Sequence, residues 1–180
     1  MNVVLIASGE PLADATGWSN AVDSKRVMRA VGVACSTLGE LLEAVERTEQ
    51  GWMAWQLFDR PPVTDASALC CGRIALMGDA AHPMRPYLAQ GAGMAIEDAQ
   101  VLAQVLTSDP AMVGHALRRY ARLRHERVAR VQRKALENGE IFHATGLKRW
   151  GRDIAMQVLG SRLLDQPWLY GERLVGHAAQ

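Results

Sequence analysis

GDAAHPMRPYLAQGAGMAIEDAQ, residues 78–100, gathers three glycines, two prolines and an isolated carboxylate, Asp79, directly after the apolar run Arg73-Ile74-Ala75-Leu76-Met77. Residues 73–77 read as a strand that ends at Gly78-Asp79. From Gly93 onward Ala95, Ala99, Leu102 and Leu106 recur at helical spacing, so a helix starts at the glycines and runs to about Leu106. The stretch is therefore a strand, a stiff loop and a glycine-led helix in succession, the unit from which α/β folds are built.

Each special residue has a chemical use. A carboxylate at the carboxyl edge of a sheet stands where open α/β folds hold ligands, and it suits the hydroxyls of a sugar or polyol. Ala80 and Ala81 keep the wall thin, while Pro83 and Pro86 stiffen the loop against a flat ligand. Gly91 and Gly93 let the backbone come close, and the unpaired N–H groups of a helix start attract an electron-rich or anionic edge. A flavin meets all of these demands: a ribityl chain for Asp79, a flat ring for the proline loop, and an N1/C2 edge that turns anionic on reduction. A helix terminus stabilises such a charge by ~0.3–1 kcal/mol, and by up to ~2 when partly buried.

The words Arg73-Ile-Ala-Leu-Met-Gly78-Asp79-Ala80-Ala81-His82, Pro86, Gln90-Gly91, Gly93 and Glu97-Asp98-Ala99 resemble the second FAD-binding motif of the class A flavoprotein monooxygenases, most of all the salicylate hydroxylase-like branch. Trp55-Gln-Leu-Phe-Asp59-Arg60, the arginine-rich segment from Tyr120 to Gln132 and Trp168-Leu169-Tyr170-Gly171 extend the likeness over nearly the whole chain, although family members often have Asn where Gly93 stands. The resemblance implies FAD as cofactor, NADH or NADPH as electron donor, and hydroxylation of a small aromatic substrate by dioxygen through a flavin C4a-hydroperoxide. It places Arg73, Gly78, Asp79, Ala80, Ala81, His82, Pro86, Gly91, Ala92, Gly93 and Met94 at the cofactor, and Met84, Arg85, Tyr87 and Leu88 on the substrate side. It assigns no catalytic side chain.

The family also carries a GxGxxG turn for the FAD pyrophosphate, an acidic residue for the adenosine ribose and a central Asp-Gly motif, none of which occurs in these 180 residues. The resemblance is thus to the C-terminal half of a hydroxylase. It implies a partial FAD/NAD(P)-binding Rossmann-like α/β fold: residues 1–60 as the end of the substrate-domain sheet with its helices, 61–107 as the later part of the FAD domain, and 108–180 as a C-terminal helical region. Such a half would self-associate or take a complementing N-terminal half. The rival reading is a catalytically inactive remnant that serves as a binding or interaction module.

Outside the motif, Asn2–Ala7 reads as a strand, Gly9–Asn20 as a turn-rich link and Asp23–Val31 as a short helix. Thr37 and Glu40 have capping-box spacing ahead of a helix carrying Leu38, Leu41, Leu42 and Val45. Met53, Trp55 and Leu57 alternate as a strand does, which makes Trp52 and Trp55 core candidates. After the cap Ser108-Asp109-Pro110, the residues Leu117, Tyr120, Arg124, Val128, Val131 and Ala135 trace a buried helix face. A last helix is expected over Arg152–Leu164, broken at Pro167.

Composition excludes several classes. Half the residues are apolar (49%) and the net charge is +1, so the chain is globular and advertises no polyanionic partner. Three cysteines, Cys35, Cys70 and Cys71, are too few and too poorly spaced for a disulfide framework or zinc site and fit a reducing cytoplasm. No apolar run has the length of a membrane span. His82, with His115, His125, His143 and His177 scattered, forms no ligand set. Arg118, Arg119, Arg122, Arg124, Arg127, Arg130, Arg133 and Lys134 face one acid, Glu126; without aromatic interleaving they read as a solvated helix face, partly paired with acids, rather than a nucleic-acid surface. Asp98 admits a plain structural role, bracing its helix against the preceding loop.

Overall fold

The computed structural model describes residues 4–14, 16–17, 20–32, 36–48, 51–163 and 165–170, with the backbone alone at 37, 38, 161 and 163. Asn2 and Val3 of the first expected strand, Cys35, the Thr37 and Leu38 side chains, Leu164, Gly171 and His177 lie outside what is described. The chain divides into two compact units, Met1–Leu57 and Phe58–Gln180.

In the first unit, β1 (Asn20–Val22) pairs antiparallel with β2 (Trp52–Ala54), Asn20 opposite Ala54 and Val22 opposite Trp52. Between them run α1 (Ser24–Val31) and α2 (Ser36–Glu46). Asp23 sets the start of α1, its side chain accepting the Arg26 amide as an N-cap does. The link before β1 turns on Asp14, whose carboxylate accepts the amides of Thr16 and Gly17. Two expectations are corrected in this unit. Residues 4–10 belong to no strand, since an apolar alternation without a paired neighbour makes no ladder. The strand expected through Leu57 stops at Ala54, because β1 offers only three partners; beyond it Trp55 is 55% exposed rather than core.

The second unit begins with a hairpin, β3 (Cys70–Cys71) against β4 (Ile74–Ala75). The strand expected over residues 73–77 is shorter, because Arg73 is part of the turn, although the Leu76 amide still reaches the Leu69 carbonyl at 2.9 Å. β3 is a run of two cysteines, too short to show a strand period in the sequence. A 3-10 turn, Gly78–Ala80, then leads through Pro86–Leu88, a second such turn, into α3 (Gly91–Val105). Asp109 caps the entry to α4 (Val113–Phe142), a 30-residue helix. α5 (Gly146–Leu159) starts six residues before the expected Arg152, where Thr145 leaves the helical backbone, and α6 (Pro167–Tyr170) begins at the proline read as a break, a residue well suited to a first helical turn. Among the described residues no helix is long and apolar enough to cross a membrane.

α4 is the spine of this unit, and its expected buried face is the one the structure buries: Leu117, Tyr120, Arg124, Val128, Val131 and Ala135 are each 6% exposed or less. Tyr120, Ala121, Val128 and Ala129 pack on Val63, Leu69, Ala81 and Val101; Val131 joins Met94 of α3 and Leu169 of α6 in a second cluster. Fully burying one such aliphatic side chain contributes ~1.5–3 kcal/mol, so these two clusters supply most of the cohesion. The Tyr120 hydroxyl donates to the Leu76 carbonyl at 3.0 Å, and burial pushes its pKa upward.

α3 and α4 are also joined by charge. Arg124, 1% exposed, gives Nε to Asp98 at 2.7 Å and Nη1 to Glu97 at 2.8 Å, while Arg127 grips both Glu97 oxygens at 2.7 Å. The basic helix is therefore a solvated face partly paired with acids, as expected. Arg118, Arg119, Arg122 and Arg133 are exposed, but Arg124 and Arg127 turn inward, and the Arg130 guanidinium lies 4.0 Å over the Trp168 ring. Burial alone would raise the pKa of Asp98, yet the bonds from His82, the Gly78 amide and Arg124 hold it below the ordinary 3.8. Glu97 behaves likewise: burial opposes ionisation, and Arg127 and Arg124 together keep it below 4.5.

Two outcomes are expected. A Cβ on Gly139 would fall 2.6 Å from Cε2 of the Tyr87 ring, so Gly139→Ala should destabilise by about 1–3 kcal/mol in thermal unfolding, with a smaller loss in a Tyr87→Leu background. For Glu97 and Asp98 the folded pKa is depressed, so the stability they contribute is fully present above the unfolded values of 4.5 and 3.8 and is lost as pH falls through the folded ones. Tm should hold level at higher pH and then drop in acid, and Glu97→Gln should make that acid drop shallower.

Candidate functional site

The turn Gly78–Ala80 carries Asp79 on its outer side, with the carboxylate exposed to solvent. Its backbone needs glycine at the first position: Gly78 has φ +56°, in the left-handed region, and a Cβ there would also sit 3.2 Å from the Ala95 methyl. Within the turn the Ala81 and His82 amides both donate to the Gly78 carbonyl at 2.9 Å. The loop is thus wound tightly around the residue that precedes Asp79.

Facing it is the start of α3. Gln90 caps that end with no side-chain bond, and the first regular helical bond is made by the Met94 amide to the Gln90 carbonyl at 2.8 Å. The amides of Gly91, Ala92 and Gly93 precede that bond, as the opening donors of any helix do. Oδ1 of Asp79 lies 3.8 Å from the position a Cβ on Gly91 would occupy, so the carboxylate and the helix start share one surface. A side chain at residue 91 would stand against the carboxylate. An acceptor of sugar hydroxyls thus adjoins a set of helix-start donors with a thin glycine wall between them, which is the donor and acceptor set that the ribityl and pyrimidine parts of a flavin require.

The other residues expected at the cofactor divide into three groups. Ala80 and Ala92 are exposed, and Gly93 is half-buried, beside Asp79 and Gly91. Gly78, Ala81, His82 and Met94 are buried and hold the site from behind: Ala81 lies in the core, Met94 is 0% exposed with its amide already engaged, and His82 gives Nε2 to Asp98 at 2.6 Å. Arg73 stands apart. Its guanidinium donates to the Pro110 carbonyl at 3.1 Å, by the beginning of α4. Because Met94 packs with Val131 while Val101 packs with Tyr120, α3 and α4 run antiparallel, which puts Pro110 beside the far end of α3, roughly 20 Å along it from Gly91.

On the expected substrate side, Pro86 is exposed at the head of its turn, and Met84 and Leu88 are half-buried against the Met94–Val131–Leu169 cluster. Arg85 pairs with Asp59 at 2.6 Å, and the two border a shallow recess with Arg60, Pro83, Met84 and Gln132. The Tyr87 hydroxyl meets His143 Nε2 at 2.8 Å, and its ring stands edge-on to Phe142. His143 is one of the scattered histidines and Asp59 belongs to the Trp55–Arg60 word of the resemblance; nothing in their spacing marks a partner 56 or 26 positions away.

Residues 62–135 match the family model described as FAD binding domain. The chain is 43% identical over 162 residues to the 3-amino-4-hydroxybenzoate 2-monooxygenase PtnB3 of Streptomyces platensis, covering 89% of this chain and 39% of that protein. Among solved structures it is similar to a salicylate hydroxylase substrate complex, with TM-score 0.69 and 26% identity over 94% of this chain and 39% of the other. It is also similar to Klebsiella pneumoniae HpxO complexed with FAD and uric acid, with TM-score 0.64 and 27% identity over 78% of this chain and 35% of the other. The chain spans about two-fifths of the length of the relatives it matches. The chain thus matches the FAD binding domain over residues 62–135 and is similar, over most of its own length, to part of these monooxygenases and hydroxylases.

Proposed function

We propose that this chain forms the ribityl and pyrimidine-edge side of the FAD site in an NAD(P)H-dependent aromatic hydroxylase. The observation that carries this reading is the approach of the Asp79 carboxylate to the start of α3, with Oδ1 3.8 Å from the Cβ position of Gly91. In it, Asp79 accepts hydrogen bonds from the ribityl hydroxyls. The Gly91, Ala92 and Gly93 amides donate to the flavin edge that gains negative charge on reduction, aided by the helix dipole. When bound, FAD takes a hydride from NADH or NADPH and activates dioxygen, so that one oxygen atom enters an aromatic ring and the other leaves as water.

The remaining work falls to side chains that position and exclude. Pro86 borders the ring, and Met84 and Leu88 present apolar surface to a small aromatic substrate, keeping water from the reacting atoms. Arg85 and Tyr87 flank that surface, each held by a partner, Asp59 and His143 respectively. No side chain of the site is assigned a proton-transfer step. Contacts to the FAD pyrophosphate, for which these 180 residues carry no GxGxxG turn, fall to a complementing segment.

Titration of FAD with the purified chain, read by flavin fluorescence and absorbance, tests the reading. Asp79→Ala removes the carboxylate that faces the glycine-led start of α3, Oδ1 lying 3.8 Å from the Gly91 Cβ position, and should weaken FAD binding roughly 10- to 100-fold, the scale of a hydrogen-bond set to a charged group. An unchanged affinity in that variant refutes the assignment.

A further inference from the structure

Asp98 makes bonds that do more than brace a helix. Its Oδ2 accepts the Gly78 amide at 2.9 Å and the His82 Nε2–H at 2.6 Å. Gly78 immediately precedes Asp79, and His82 follows it by three residues, so one buried oxygen closes both ends of the turn on which Asp79 rides. The other oxygen of Asp98 is held by Arg124 Nε at 2.7 Å. Arg124 in turn gives Nη1 to Glu97 and lies 3.5 Å by Nη2 from the Met94 carbonyl, so all its partners belong to α3. Asp98 and Arg124 are 0% and 1% exposed, out of reach of solvent and of any ligand.

We infer that Asp98 is a positioning residue for the flavin site: it fixes the distance between the Asp79 carboxylate and the helix-start amides of Gly91 to Gly93. The reason is geometric. Asp98 lies seven residues, close to two full turns, along α3 from Gly91, so the two share a face of one rigid helix. A turn tied to Asp98 is therefore tied to the helix start as well, and Asp79 cannot move away from Gly91 without breaking a charge-assisted bond at Gly78 or His82. His82 acts through the same link, as a donor to Asp98 rather than as a ligand to flavin. Outer-shell partners that orient metal ligands commonly change affinity by about 10- to 100-fold, and the same scale is expected for a carboxylate oriented in this way.

The inference rests on the flavin reading, and the test separates the two. FAD is titrated into the 180-residue chain and into Asp79→Asn, Asp98→Asn, His82→Leu and His82→Gln, with Tm and amide NMR spectra recorded for each. Glutamine keeps an N–H donor near the place of Nε2, whereas leucine keeps none. The expected result is a tenfold or greater loss of FAD affinity in Asp98→Asn and His82→Leu, recovery in His82→Gln, and displaced Asp79 and Gly91–Gly93 resonances in the two weakened variants even without FAD. Affinity in Asp98→Asn equal to that of the unaltered chain, with Asp79→Asn still weakened, overturns the positioning role and leaves the flavin reading intact. Equal losses in His82→Leu and His82→Gln that merely track Tm overturn it too. If the unaltered chain takes up no FAD, the flavin reading falls, and unmoved Asp79 and Gly91–Gly93 resonances in Asp98→Asn then overturn the clamp by themselves.

Discussion

One buried carboxylate, Asp98, organises the larger unit of this protein. A charge that has left water is tolerated only when its lone pairs are filled, and Asp98 fills them with three donors from three places: the Gly78 amide, the His82 ring and the Arg124 guanidinium. Those donors bring together the turn after the hairpin, the helix α3 and the spine α4. Arg124 is buried for the complementary reason, since a guanidinium has five donors to satisfy and finds its acceptors along α3. The apolar clusters provide cohesion, but they are tolerant of small slips. Hydrogen bonds of 2.6 to 2.9 Å from a fixed carboxylate are not, and they give the unit its register.

That division of labour explains why chemically similar residues in one motif behave so differently. Asp79 and Asp98 are both aspartates within twenty positions, yet one is exposed and the other is sealed. The sealed one is satisfied by protein and has nothing left to offer a ligand. The exposed one stands beside helix-start amides with its oxygens turned to solvent, able to accept what a ligand brings. His82 follows the same logic: its Nε2 is spent on Asp98, which makes it part of the scaffold in spite of its place in the most distinctive word of the sequence.

Much of this was legible from the residues alone. The glycine-led helix, the Asp109-Pro110 start of α4 and the six-residue buried face of α4 all follow from helical period and capping chemistry, which act over a few residues. The adjacency of Asp79 to Gly91 could be reasoned from the strand, turn and helix order. The short strands were not legible: β2 ends where β1, 30 to 34 residues away, runs out of partners, and two-residue strands such as β3 and β4 are too short to show a period. Which arginines of α4 pair with acids was not legible either, because the acid of Arg127, Glu97, is on another helix.

The sequence by itself determined where helices begin, which face of α4 is apolar, and that a carboxylate stands a short loop ahead of a glycine-rich helix start, because these depend on neighbours close along the chain. Only the tertiary structure decided which charged residues are scaffold and which face outward. Burial is a property of the packed chain: a carboxylate is sealed when a guanidinium 26 residues away reaches it, and it stays in water when none does.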